Sequence, residues 1–156
     1  MRGTIMNAVS GLASLIQQFP EFYRSLSHAE WVKPHPEGKW SRLQILGHLC
    51  DSAINNLSRF IRIQYESQPC YLTSYNQNKW VDAQNYCSAD PDEILNLWVS
   101  LNQSVIRIIS NLTPPQLSLV YQLPQGETVT LEWLIEDYLE HMKHHLEQIF
   151  PDFDFL

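Results

Sequence analysis

The sequence is short of basic charge, of cysteine and of long apolar runs, and each shortage excludes a class of protein. Its 10 lysines and arginines are outnumbered by 17 aspartates and glutamates, for a formal net charge of −7. Nucleic acids and acidic membrane surfaces both require a clustered basic surface, so this balance argues against either partner. No apolar stretch approaches the roughly 20 residues that span a membrane. We therefore predict no nucleic-acid partner and no membrane segment.

The three cysteines, Cys50, Cys70 and Cys87, are scattered and form no C-x-x-C pair. An odd number at such spacing does not fit a disulfide framework. Cys50 lies among apolar helical positions and is expected to be a small core residue. The N-terminal stretch does not fit a signal peptide, because glutamines and Pro20 interrupt its apolar residues. These features predict a cytoplasmic protein without disulfides.

The chain has the length and composition of one globular domain. It contains 156 residues, of which 44% are hydrophobic and 17% charged, and this balance is typical of soluble folded proteins. We expect residues 1–156 to form a single domain. Four amphipathic patterns with mixed connections predict an all-α four-helix bundle.

Start and stop signals place the four helices along the chain. The second helix begins at a capping box formed by Ser41 and Gln44. The third begins at Asp90, with Glu93 as its expected capping-box partner, and the fourth follows Thr130 as its cap. The approximate bounds of the helices are residues 6–26, 41–66, 90–112 and 130–150.

The connections between the helices differ in length and kind. Pro20 is expected either to kink the first helix or to begin a second piece of it, and residues 27–39 are predicted to form a loop. The connection between the second and third helices, residues 67–90, is too long and too aromatic for an idle loop, and a short helix is expected at about 77–84. Residues 119–130 form either a small hairpin or an extended connection.

The fourth helix carries three of the six histidines within five residues. His141 and His145 are one turn apart on one helical face, with His145 inside the apolar arc and His141 at its edge. His144 projects toward the polar side. Two imidazoles at this spacing can bind a divalent transition metal, but a core-edge histidine with an ordinary hydrogen bond fits the pattern equally well. A metal site also requires a ligand from elsewhere in the chain.

The second helix has a polar arc opposite its apolar face. This arc is either the solvated face of the helix or the lining of a polar cavity formed by His48, Asn55 and Arg59. Helical periodicity alone does not separate the two interpretations. The residues of the arc are His48, Asp51, Ser52, Asn55, Arg59 and Arg62.

Two motifs stand out, one at the second predicted helix and one in the fourth. The first motif consists of Trp40-Ser41, Ile45-Leu46-Gly47-His48-Leu49-Cys50-Asp51-Ser52, Asn55-Asn56 and Arg59-Phe60. The second is H-x-x-H-H-x-x-Q-I, running from His141 to Ile149. Together they resemble the DinB/YfiT-like family of metal-dependent enzymes, in which the two motifs occur in this order and in these helices. The resemblance covers nearly the whole chain.

The resemblance implies a four-helix bundle of the DinB/YfiT-like type, often a homodimer, with a metal bound by one histidine of the second helix and two of the fourth. Carried over residue by residue, the ligands are His48, His141 and His145, while His144 is a neighbour on the helix. Three imidazoles leave a coordination position for water or substrate. Zinc or nickel is the first choice for the divalent ion, followed by iron, copper or manganese.

The family includes thiol-dependent enzymes and proteins classed as metal-dependent hydrolases. The leading interpretation is a metal-dependent enzyme that activates a low-molecular-weight thiol cosubstrate for S-transfer to a small electrophile. One alternative is hydrolysis of a small molecule by metal-bound hydroxide, and another is a non-catalytic metal- or small-molecule-binding stress protein. Asp51 and Asn55 are candidates for orienting ligands or substrate, and Arg59 for pairing with a substrate carboxylate. For each of these three, solvation or interhelical hydrogen bonding explains the residue as well.

Overall fold

The computed structural model describes residues 2–153 and shows four long helices, three short ones and a small sheet. The long helices match the four helices that the sequence predicts. In chain order the elements are α1 (Arg2–Arg24), α2 (His28–Val32), α3 (Arg42–Arg62), β1 (Cys70–Tyr71), α4 (Gln77–Gln84), a 3₁₀ turn (Tyr86–Ser88), α5 (Pro91–Ser110), α6 (Pro114–Leu117), β2 (Val120–Gln122), β3 (Thr128–Thr130) and α7 (Leu131–Ile149).

The long helices form a four-helix bundle whose neighbours are not consecutive in sequence. α1 packs against α5 and α7, and α3 also packs against α5 and α7. The order around the bundle is therefore α1, α5, α3, α7, which places α1 diagonally opposite α3. It also places α5 diagonally opposite α7. The two helices of each diagonal pair are joined by a connection of more than a dozen residues, long enough to cross the end of the bundle. This order makes α3 and α7 neighbours, and they carry the two histidine motifs.

The three predicted helix caps are present, but one predicted capping box is not. Ser41 and Gln44 form the expected capping box, and the Thr130 side chain accepts a hydrogen bond from the N–H of Trp133. Asp90 caps α5, but it accepts from the N–H of Asp92, so the capping box expected with Glu93 is not formed. α3 ends at Arg62, several residues before the predicted end.

Residues 27–39 are not wholly a loop, and the prediction was wrong for the first part of this segment. Ser27 and Glu30 form a capping box at the start of α2, a local signal that the sequence carries as Ser-x-x-Glu. α2 buries Trp31, which stacks on Tyr23 with ring centroids 4.9 Å apart. α1 continues through Pro20 without ending there.

The connection between α3 and α5 contains the short helix expected at residues 77–84, together with a strand that the sequence did not predict. β1 pairs in parallel with β2, and β2 pairs antiparallel with β3. Residues 119–130 therefore contain a hairpin. No helix in the described range, residues 2–153, is both long and apolar enough to cross a membrane.

Candidate metal centre

Three histidines from two neighbouring helices meet on the inner side of the bundle. His48 lies in the first half of α3, and His141 and His145 lie one turn apart in the last half of α7. The Nε2 atoms of His48 and His141 are 3.4 Å apart, and those of His141 and His145 are 3.1 Å apart. One ring nitrogen from each histidine lies within 4.8 Å of the other two. The structure thus brings together the three histidines that the family resemblance selected.

The spacing of these nitrogens fits a shared divalent ion. Imidazole nitrogens bind zinc at about 2.0–2.1 Å in a tetrahedral arrangement, which separates two ligand nitrogens by about 3.3–3.4 Å. The measured Nε2 separations of 3.1 and 3.4 Å are close to that value. Three imidazoles suit zinc, nickel, iron or copper by ligand type. The histidines therefore fit a transition-metal ion, with a coordination position left over.

Burial keeps the three imidazoles uncharged. His48 is fully buried, whereas His141 and His145 are partly buried. Removal from water, together with the smaller effect of the neighbouring histidines, lowers the pKa of His48 to about 3 and the pKa of His141 to about 4. Burial also lowers the pKa of His145, although its hydrogen bond with Gln148 opposes the shift. All three are therefore neutral near pH 7, the state that metal ligation requires.

Gln148 selects the tautomer of His145. Its Oε1 lies 2.8 Å from Nδ1 of His145. Because an amide oxygen only accepts, Nδ1 carries the proton and donates it to this hydrogen bond. The lone pair of His145 is then on Nε2, the atom that faces the other histidines. The amide nitrogen of Gln148 lies 3.4 Å from Nε2 of His144, and this contact is consistent with the amide orientation.

Packing, rather than a second hydrogen bond, orients His48. Its Nδ1 is buried and has no hydrogen-bond partner among the described residues. The Trp40 ring lies over it, with centroids 5.0 Å apart and an angle of 37° between the planes. Metal-binding histidines usually donate their other ring N–H to an acceptor. In this chain the contact with Trp40 orients the His48 ring instead.

Asp51, a candidate for orienting ligands or substrate, belongs to a different hydrogen-bond network. It is fully buried, and its Oδ1 accepts hydrogen bonds from the Tyr86 hydroxyl at 2.7 Å and from Nε2 of Gln84 at 3.1 Å. Burial raises the pKa of this carboxyl, and the two hydrogen bonds partly offset the rise. Its hydrogen bonds thus connect α3 to the segment before α5 rather than to the histidines.

Asn55 and Arg59, the other two candidates, also make their hydrogen bonds away from the histidines. Nδ2 of Asn55 donates to the backbone oxygen of Asp51 at 2.9 Å, and Nη2 of Arg59 donates to the backbone oxygen of Thr73 at 2.7 Å. Both side chains are half-buried. Because His48, Asp51 and Ser52 are buried, the interpretation of this arc as a solvated face is excluded for its first part.

The remaining histidines lie outside the centre. His144 is exposed, and its ring lies edge-on to the ring of His145 with centroids 5.4 Å apart. His28, with Nε2 3.4 Å from Asp92 Oδ1, belongs to an exposed group with Asp90. His35 lines a groove next to His145.

That groove, called the histidine groove below, has a volume of about 580 Å³ and reaches His145. This volume is in the usual range for small-molecule sites. Its walls also include Lys39, Trp40, Ile45 and Asn78, and none of the described residues that line it carries a carboxylate. Sequence reasoning missed Lys39 and Asn78 because they come from connections far apart in the chain. The available signals were Trp40 and Ile45, already in the first motif, and Gln148, in the second.

The neutral histidines predict that the metal-free protein loses stability in acid. Because the folded pKa values of His48 and His141 lie below the ordinary 6.5, the unfolded chain binds more protons between about pH 6.5 and about pH 4. The free energy of unfolding should therefore decrease as the pH is lowered across this window, by up to about 1.4 kcal/mol per pH unit for each such proton. Urea unfolding at several pH values measures the slope.

A His141→Gln variant should show a shallower slope than the wild type, because one of the proton-binding groups is gone. His144→Gln, on the exposed side of the same helix, is the matched control and should retain the wild-type slope. Identical slopes for the wild type and His141→Gln would contradict the assignment of neutral, buried histidines.

The sequence is similar to one family of known proteins. The sequence profile of the DinB superfamily matches residues 12–149. The "putative metal-dependent hydrolase" of Halalkalibacterium halodurans is 32% identical over 126 residues, which cover 80% of this chain and 72% of that protein. The similarly named YfiT of Bacillus subtilis is 29% identical over 117 residues, covering 74% of this chain and 65% of YfiT, slightly less than two thirds of its length.

Solved structures share the fold. The structure of YfiT, described as a probable metal-dependent hydrolase with an unusual four-helix bundle topology, superposes with a TM-score of 0.83 at 23% identity, over 93% of this chain and 83% of YfiT. The mycothiol-dependent maleylpyruvate isomerase gives a TM-score of 0.71 at 14% identity, over 91% of this chain and 59% of the isomerase. This chain thus spans about three fifths of the isomerase.

Proposed function

We propose that this chain, which belongs to the DinB superfamily, is a metal-dependent enzyme whose ion is held by His48, His141 and His145. The supporting observation is that three neutral imidazoles from α3 and α7 point their ring nitrogens at one place. The hydrolase names of the relatives agree with a dependence on metal.

A divalent ion bound there would supply Lewis acidity, which lowers the pKa of a coordinated thiol or water molecule toward neutral pH. The protein's part is to place the ligands and the substrate. Gln148 keeps the His145 proton away from the centre, and Trp40 holds the His48 ring. The histidine groove gives a small molecule access to the side of His145.

We favour a low-molecular-weight thiol as the activated group, for S-transfer to a small electrophile. A general base beside the ion would assist hydrolysis, but no carboxylate is among the described residues that line the histidine groove, and Asp51 is buried in another network. A thiol, once deprotonated, is a nucleophile without such help. The mycothiol dependence of a protein with the same fold agrees with this choice.

Metal-dependent hydrolysis is the second candidate, because the relatives carry that name. Lys39 and His35 line the groove and are side chains that could help bind a substrate group.

We further propose that residues 1–156 act as one domain, as a cytoplasmic homodimer and without nucleic-acid or membrane partners. These last features rest on composition and on the family resemblance.

Addition of mercaptoethanol to the cobalt-substituted protein should change its visible absorption spectrum, because a sulfur ligand alters the electronic transitions of the ion. Ethylene glycol, which differs by having oxygen in place of sulfur, is the matched control and should leave the spectrum nearly unchanged. Titration followed by absorption gives the affinity for the thiol.

An unchanged spectrum with the thiol would contradict the proposed cosubstrate. Turnover of a simple ester by the same preparation would then support the hydrolase. Bound metal without a thiol response or ester turnover would support the non-catalytic binding protein.

A further inference from the structure

Arg59 is a half-buried cation without a carboxylate partner. Its Nη2 donates to the backbone oxygen of Thr73 at 2.7 Å, and its Nη1 donates to Oδ1 of Asn56 at 3.4 Å. The guanidinium carbon also lies 5.7 Å from the centre of the Tyr75 ring. None of these groups carries a negative charge, and burial lowers the pKa of Arg59. No ion pair in the described range, residues 2–153, includes Arg59.

The guanidinium of Arg59 retains donors for a ligand. A guanidinium has five N–H groups, and two of them are used in the bonds to Thr73 and Asn56. The other three have no acceptor among the described residues. A cation with neutral partners only and with spare N–H donors is suited to binding an anion in a bidentate manner.

A cavity of about 240 Å³ lies beside Arg59 and is lined largely by polar groups. Asn55, Ser58 and Ser74 face it, and no hydrogen bond occupies either serine hydroxyl in the described structure. The one carboxylate in its wall, Glu66, is already paired with Arg62 at 2.6 Å. The walls therefore carry one unmatched positive charge together with free hydroxyl donors.

From these contacts we propose that the Arg59 cavity binds the carboxylate or phosphate group of a small anionic ligand. Arg59 supplies the charge and a bidentate fork, and Ser58 and Ser74 add hydroxyl donors. Eleven residues separate Arg59 from His48 on α3, which places the site roughly 16 Å along the helix from the metal centre. The anion site is therefore independent of the metal, and it does not depend on the function proposed above.

The test measures binding of inorganic phosphate and of succinate to the metal-free protein by calorimetry at constant ionic strength. We expect at least one anion to bind the wild type, and Arg59→Gln to weaken binding roughly tenfold or more, since a charge-assisted bidentate contact is lost. The ratio of the two affinities shows whether the site prefers a phosphate or a carboxylate group.

Two further variants separate the anion site from a purely structural arginine. Asn55→Asp places a carboxylate four residues before Arg59 on the same helix, where it pairs with the guanidinium and should also weaken anion binding. This variant keeps Arg59 and its bond to Thr73. Arg107→Gln, which removes an exposed cation on α5, should bind like the wild type.

His141→Ala distinguishes this site from the metal centre and should retain anion binding. The proposal is overturned if neither anion binds the wild type, or if Arg59→Gln binds as well as the wild type. Loss of binding in His141→Ala but not in Arg59→Gln would also overturn it, because the anion would then lie at the histidines.

Discussion

Replacement of His48, His141 or His145 by alanine should reduce the metal content of the purified protein from about one ion per chain to nearly none. Each variant leaves two imidazoles, fewer than the three protein ligands of an open catalytic site. The loss of affinity should exceed the roughly 10–100-fold that follows removal of an outer hydrogen-bond partner. Elemental analysis after incubation with zinc or nickel measures the effect.

The other three histidines are matched controls for this experiment. His144 is next to His145 in sequence but exposed, while His28 and His35 are exposed residues outside α7. Their alanine variants should retain the wild-type metal content. Equal content in all six variants would contradict the ligand assignment. No metal in any form of the protein would return the three histidines to a structural role.

Much of the fold follows from local signals in the sequence. The caps Ser41, Asp90 and Thr130 act over two or three residues, so they can be identified without knowledge of the packing. The order of helices around the bundle cannot be identified in this way, because it depends on which apolar faces match across the core. The strand Cys70–Tyr71 was also missed, since two residues carry no detectable periodicity and pair with a hairpin fifty positions later.

The candidate site was predictable to a smaller extent. Spacing alone placed His141 and His145 on one face, and it left open whether they bind metal or pack at the core edge. His48 entered through the family motif, since a ligand on another helix has no fixed sequence distance from the pair. Asp51 shows the limit most clearly: its partners Tyr86 and Gln84 lie in an irregular segment whose course follows from tertiary packing.

Gly47 in α3 is another residue whose role depends on tertiary packing. Its replacement by alanine should strongly destabilise the protein. In most helix interiors this change stabilises, because alanine is favoured over glycine by roughly 1 kcal/mol. In this structure the Tyr86 ring lies where a Cβ at position 47 would be, so the two would overlap. Relief requires movement of a buried ring, which typically costs about 1–3 kcal/mol.

The displaced ring also takes its hydroxyl away from Asp51, a bond of 2.7 Å. Oδ1 of Asp51 then keeps only Gln84 as a donor, and the loss of a buried hydrogen bond to a carboxyl group costs about 1–3 kcal/mol more. We therefore expect Gly47→Ala to lower the free energy of unfolding by about 3 kcal/mol, measured by urea denaturation. Gly11→Ala, where the new methyl meets only the flexible end of Leu139 at 3.1 Å, is the control in α1 and should change stability much less.

A double-mutant cycle tests whether the cost of Gly47→Ala comes from Tyr86. In a Tyr86→Ala background the ring is absent, so adding Gly47→Ala should cost little and the two changes should be strongly non-additive. Full additivity, or a Gly47→Ala single variant as stable as the wild type, would show that the ring moves aside freely. If the coupling is found, the glycine before His48 is required because the aromatic ring that holds Asp51 packs directly on the helix backbone at that position.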